Sequence, residues 1–139
     1  MKVYFTSSVS GKKDYLSNYK KIICTLKELG HDVLMPPNIL DETFFHKQLV
    51  EIMDSKDGVA RHVEISRKKM KSDIIIVEAS VPSFALGQEI SYTLRVGKPL
   101  LVLYTKGKKP HLLVDEAGDR LLVLEYSLDN VKEIIKNAI

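Results

Sequence analysis

The stretch "VEASVPSFALGQEISYTL", residues 77–94, sets a carboxylate, Glu89, shortly after a Pro-Ser turn and near the start of a helical pattern. In the first or second turn of a helix, the macrodipole favours an anion. Exposed amides there can also hold a ligand oxygen. A carboxylate so placed stays ionised and can attack an electron-poor carbon such as that of a sugar. Position alone leaves a second reading open, in which Glu89 only decorates the helix N-terminus. Other chemistries lack their residues. No G-x-G-x-x-G or G-x-x-x-x-G-K-[ST] follows the first strand-like segment, which disfavours a dinucleotide site and excludes a P-loop. His31, His46, His62 and His111 are isolated, so no metal-ligand spacing exists, and no G-x-S-x-G elbow supports a hydrolase serine. Carboxylates and hydroxyls remain.

Strand and helix signals alternate along the chain and must position these groups. Residues 2–5 and 32–35 are short strand candidates. Residues 73–79, "DIIIVEA", form a β-branched run of the kind buried on both faces of a parallel sheet. Residues 99–104 read the same way, and 120–126 close the sheet. Between them, Leu16, Tyr19, Ile22, Ile23, Leu26 and Leu29 recur at helical spacing before Gly30. Val59, Val63, Ser66 and Met70 mark one side of a second helix, and Leu86, Ile90 and Leu94 mark a third. Leu128, Val131, Ile134, Ile135 and Ala138 mark a last helix with Ser127 as N-cap. Residues 36–58 read as a long loop with a helical turn or more around 43–53. The expectation is one α/β domain over residues 1–139, a three-layer Rossmann/flavodoxin-like fold. Its mostly parallel sheet has about five strands, with helices on both faces. In such sheets ligands bind beyond the carboxyl ends of the strands. Two turn-like, hydroxyl-rich segments, 6–13 and 80–89, occupy that edge.

Composition is that of an ordinary globular chain, with 45% hydrophobic and 28% charged residues. No apolar stretch approaches the ~20 residues that span a bilayer. The opening "MKVYFTSS" reads as a strand and not as a secretory signal, and a single cysteine, Cys24, allows no internal disulfide, so a cytoplasmic location is expected; Cys24 itself reads as a small core residue. Net charge is +3, carried by short lysine clusters without interleaved aromatics. These fit a solvated surface or a small-anion site better than a nucleic-acid polymer.

"KVYFTSSVSG" at residues 2–11, taken with "SDIIIVEASVPSFALGQE" at residues 72–89, resembles the nucleoside 2-deoxyribosyltransferase family. It is most similar to the branch of 2′-deoxynucleoside 5′-monophosphate N-glycosidases. The resemblance implies Glu89 as a nucleophile forming a deoxyribosyl-enzyme intermediate, and Tyr4 as the tyrosine beside it. It implies Ser8 as a hydroxyl contacting the substrate's 5′ end, and Ser83 and Gly87 as parts of a phosphate-binding turn. Three departures stand out. Ser10 occupies the place of a phosphate-binding arginine, so that beside Gly11 the charge would come from Lys12 or Lys13. Ala85 replaces a glycine, which narrows close backbone approach. Ile65 stands where the resemblance implies a second acid. Glu64, roughly 100° around the helix, is the substitute candidate, with a solvated face beside Arg61 and Lys68 as the other reading. Lys108, Lys109 and His111 in 106–113 are candidates for an anion contact across subunits, or a plain basic turn.

The activity so implied is hydrolysis of the N-glycosidic bond of a small 2′-deoxynucleotide, without metal or organic cofactor, by a homo-oligomer, expected to be a dimer. Its contact surface would come from the helices after the first and third strands. Base exchange by a deoxyribosyltransferase, a weakened nucleotide-binding protein, and a glycosidase acting on ribosides are the alternatives.

Overall fold

Val3, Tyr4, Phe5 and Thr6, all β-branched or aromatic, build β1 (Lys2–Ser7), whose last five residues are all buried. The computed structural model describes residues 1–112 and 118–139. After β1 the chain forms α1 (Lys12–Glu28), β2 (Asp32–Leu34), α2 (His46–Met53), α3 (Asp57–Lys71), β3 (Ile74–Glu78) and α4 (Phe84–Arg95). Then come β4 (Leu100–Tyr104), a single 3₁₀ turn (Gly118–Arg120), β5 (Leu121–Glu125) and α5 (Val131–Ala138). The five strands form one sheet in the order β2-β1-β3-β4-β5, every neighbouring pair parallel. The order reverses between β1 and β3, and a doubly wound sheet opens its ligand crevice at such a switch point. Register there is tight: Thr6 lies opposite Val77 and Ser7 opposite Glu78, so both strands end level.

Alternation along the strands divides the core. Val3, Phe5, Ile76, Leu101 and Leu103 pack with Tyr19, Ile22 and Leu26 of α1 and with Val131 and Ile135 of α5. Tyr4, Ile75, Val77 and Val102 face the other way, against Leu86, Ile90 and Leu94 of α4, with Ile65 of α3 packed beside them. Each such aliphatic side chain contributes about 1.5–3 kcal/mol of burial. Gly30, at φ 87°, follows the C-cap of α1 in a conformation that would strain other residues.

Four local readings of the sequence differ from the structure. Cys24 is exposed. Its neighbours Ile23 and Thr25 are buried, but residue 24 falls on the outer side of α1. Ser127 is not the cap of α5, which begins at Val131 after Asn130. Ser127 instead opens a preceding turn, its N–H donating to Asn130 Oδ1 at 2.7 Å. The stretch 36–58 is less of a loop than its prolines suggest, since α2 occupies 46–53 and α3 starts at 57. Finally, the apolar side of α3 faces outward: Val59, Val63 and Met70 are exposed, while Lys69 is 6% exposed and Ile65 packs inward.

Candidate active site

Tyr4 and Thr6 are two residues apart on β1, so they project to the same face of the sheet. That face is covered by α3 and α4. Strand β3 runs beside β1 and delivers the chain to the turn 79–83. There Ser83 caps α4, its Oγ accepting from the Leu86 N–H at 3.1 Å. The first helical turn, Phe84 to Gly87, is mostly exposed, and a Cβ added at Gly87 would meet nothing. Glu89 follows in the second turn, on the side that faces back over the sheet.

Both oxygens of its carboxylate are engaged. Thr6 Oγ1 donates to Oε2 at 2.9 Å, and Lys69 Nζ donates to Oε1 at 3.0 Å. The lysine is the buried partner of this ion pair; the Glu89 side chain keeps 21% of its surface exposed. Lys69 Nζ also lies 5.7 Å from the centroid of the Tyr4 ring and 5.9 Å from that of Tyr92. Rings so placed attract a cation through their faces. The Tyr4 hydroxyl is buried and has no hydrogen-bond partner among the described residues. Burial first, and the Glu89 carboxylate second, push the phenol far above its ordinary value, so it stays neutral. Arg61 approaches from α3, its guanidinium donating to the Pro37 carbonyl at 3.1 Å and lying 5.1 Å from the Phe44 ring centroid.

The other candidates fall around this centre. Ser8 is buried at the end of β1; its carbonyl accepts from Tyr19 Oη at 3.2 Å while its own hydroxyl has no partner among the described residues. Gly11 begins α1 where a Cβ would come within 2.5 Å of Tyr19 Oη and 3.0 Å of Val81, so glycine lets the two switch-point turns touch. Ser10 and Ala85 are exposed. Lys12 is buried, and its ammonium donates to the carbonyls of Asn38 at 2.7 Å and Phe44 at 2.8 Å, tying α1 to the 36–45 segment. Burial lowers its ordinary value, with Asp41 opposing. Glu64 is half exposed and pairs with Lys68 at 3.1 Å on the outer turn of α3. His111, Lys108 and Lys109 are exposed after β4. Leu113, the last residue of 106–113, lies outside the described residues.

Thr6, Lys69 and Arg61 were not among the residues singled out in the sequence. Thr6 carried a usable signal, since it shares a strand face with Tyr4. Lys69 carried another: it follows Ile65 by four, one helical turn along the same face.

No protein-family model matches the chain. It is 27% identical, over 98% of its length and 94% of the relative's, to the 5-hydroxymethyl-dUMP N-hydrolase of Danio rerio. A Nematostella vectensis protein that carries the name 2′-deoxynucleoside 5′-phosphate N-hydrolase 1 is 26% identical over 98% of this chain and 92% of its own. The chain is a divergent relative of these N-hydrolases. Among solved structures, a CMP N-glycosidase of Clostridium botulinum superposes with a TM-score of 0.66 at 15% identity, covering 99% of each chain. A 2-deoxyribosyltransferase of Bacillus psychrosaccharolyticus gives 0.64 at 15% identity, over 95% of this chain and 90% of that one. At such identities the likeness is one of fold, and it agrees with the α/β architecture expected from the sequence, whose mostly parallel sheet is all-parallel in the structure.

Proposed function

We propose that the protein hydrolyses the N-glycosidic bond of a 2′-deoxynucleoside 5′-monophosphate, with Glu89 as the nucleophile. The observation that carries this reading is the carboxylate itself. It sits at the carboxyl edge of β1 and β3, held through both oxygens and oriented beside a neutral tyrosine. Glu89 attacks C1′ as the base departs, and water then cleaves the deoxyribosyl ester and restores the carboxylate. Tyr4 offers its free hydroxyl to the sugar or to the attacking oxygen. The opening amides of α4, with Ser83 and the buried hydroxyl of Ser8, form the 5′-phosphate end, where a helix N-terminus suits an anion. No metal or organic cofactor takes part in these steps.

Chromatography of a panel of deoxynucleosides and their 5′-monophosphates tests the reading, with wild type beside Glu89→Ala. Base release by wild type alone, together with a deoxyribose 5-phosphate adduct on Glu89 in acid-quenched enzyme, is the expected result. Release that survives Glu89→Ala excludes Glu89 as nucleophile. A second reading, a nucleotide-binding protein with little turnover, draws on Ile65 packing where an acid would be needed. Tight nucleotide binding without base release from wild type would select it.

We place the protein in a homo-oligomer, with the contact not on the helices after the first and third strands expected from the sequence but over the outward apolar side of α3, where Val63 and Met70 line a shallow depression with His62, Ser66 and Arg67. Sedimentation of wild type and Val63→Glu reads this directly, the variant being expected to run as the smaller species.

A further inference from the structure

Cleaving a glycosidic bond requires a proton for the departing base as well as a nucleophile. The carboxylates near Glu89 do not offer one: Glu64 is half exposed and paired with Lys68, and Ile65 is apolar. Lys69 is different. It is nine-tenths buried, its Nζ rests 3.0 Å from Glu89, and it lies over the rings of Tyr4 and Tyr92. An ammonium has three N–H donors. Among the described residues one of them has a hydrogen-bond acceptor, the Glu89 carboxylate. Lys69 also follows Ile65 by one turn on the face of α3 that looks toward Tyr4.

Resting on the reading of Glu89 as nucleophile, we propose that Lys69 is the acid–base residue of the reaction, donating the proton that the leaving base takes. In the first half, the C1′–N bond breaks and its electron pair goes to the base. A Glu89 oxygen forms the new bond to C1′, and a proton passes from the Lys69 ammonium to the base. In the second half, water adds to C1′ and the ester bond breaks back to the Glu89 carboxylate. The proton released by water returns to the Lys69 amine. Products are the free base and 2-deoxyribose 5-phosphate.

Charge balance in a buried site is the physical reason. Before reaction, the ammonium and the carboxylate neutralise each other. Esterification removes the negative charge, and if Lys69 kept its proton it would be a buried cation without a counterion, an arrangement that is strongly disfavoured. Handing the proton to the base discharges both partners in the same step. Hydrolysis recharges both.

Lys69→Arg is the decisive variant, because arginine keeps the cation and the ion pair but does not give up its proton. Lys69→Met removes both at similar volume. Each is compared with wild type on two 5′-monophosphates: the one wild type cleaves fastest, and its analogue whose base leaves without a proton, methylated at N7 for a purine or carrying a 5-nitro group for a pyrimidine. The expected result is a loss of about 10²–10⁴-fold in kcat for both variants on the ordinary substrate, and under about 10-fold on the activated one. Equal losses on both substrates, or an Arg variant as active as wild type, would overturn the assignment of Lys69 while leaving Glu89 as nucleophile. Wild type inert on both substrates would instead remove the N-glycosidase reading itself. If Lys69→Met does not fold, as read by circular dichroism, Lys69→Arg alone decides.

Discussion

Thr6 and Tyr4 frame Glu89 in different ways, and substitution separates their roles. Thr6→Val keeps the β-branched shape that suits a strand but removes the hydrogen bond to Oε2. A bond to a charged acceptor contributes about 1.5–3 kcal/mol, so kcat should fall roughly 10–100-fold. Thr6→Ser should restore most of it. Steady-state rates on the cleaved nucleotide check this, and unchanged kcat in the valine variant would mean that the hydrogen bond does not hold Glu89 for the proposed attack. Tyr4→Phe removes a buried hydroxyl that has no partner among the described residues. A polar group of that kind lowers stability when it goes unsatisfied. The variant should therefore melt at the same temperature as wild type or higher, while kcat/KM falls. A lower melting temperature would show that the fold itself uses the hydroxyl.

At the scale of elements, Lys12 and Gly11 join pieces that the site needs together. The Lys12 ammonium clamps the 36–45 segment to α1 through two carbonyls. Lys12→Met should leave those carbonyls short of a donor and cost about 2–4 kcal/mol, with faster amide exchange concentrated in residues 36–45. Exchange spread evenly over the chain would argue against a local clamp. The strands, the switch-point turns and the placement of Glu89 were legible in the sequence because each rests on a short-range signal: β-branched runs, a turn, helical spacing. The inversion of α3 was not. Val59, Val63 and Met70 have the spacing of a core face, but which side of a helix is buried depends on what lies beneath it, and here that is a carboxylate that binds Lys69. Cys24 misled for a related reason, since it sits in an apolar stretch yet falls on the outer side of α1. The roles of Lys12 and Lys69 depend on partners 26 and 20 residues away in sequence, and periodicity does not report such pairings.

Across the whole molecule, the sheet carries a second buried acid. Glu78 at the end of β3 is fully buried, accepts from the N–H and hydroxyl of Ser80, and leaves Oε2 without a partner among the described residues. Ser80 in turn joins Thr105 beyond β4, which donates to Tyr15 of α1. Burial raises the Glu78 carboxyl above its ordinary 4.5, and the Ser80 hydrogen bonds oppose without cancelling it. A raised folded value means that the native state holds this proton more tightly than the unfolded chain. Its stabilising effect is complete below 4.5 and is lost as pH climbs toward the folded value. Glu78→Gln carries no such proton. The melting temperature of the variant relative to wild type should therefore rise from pH 4.5 to pH 8, and two curves that stay parallel would refute the linkage.

The order in which the chain is made gives the sheet topology a further consequence. Thr6, Lys69 and Glu89, with the strands β1 and β3 that bring them together, have all been synthesised once α4 is complete. Tyr126, Val131 and Ile135, which complete the core cluster around Phe5, Ile22 and Leu26, come later. The far edge of β4 has no pairing partner until β5 arrives. At about 5–20 residues per second that interval lasts a few seconds. During it, a nascent chain can hold Thr6, Lys69 and Glu89 together over an open apolar face, which makes the interval between the synthesis of α4 and that of α5 a period when this fold needs protection from aggregation.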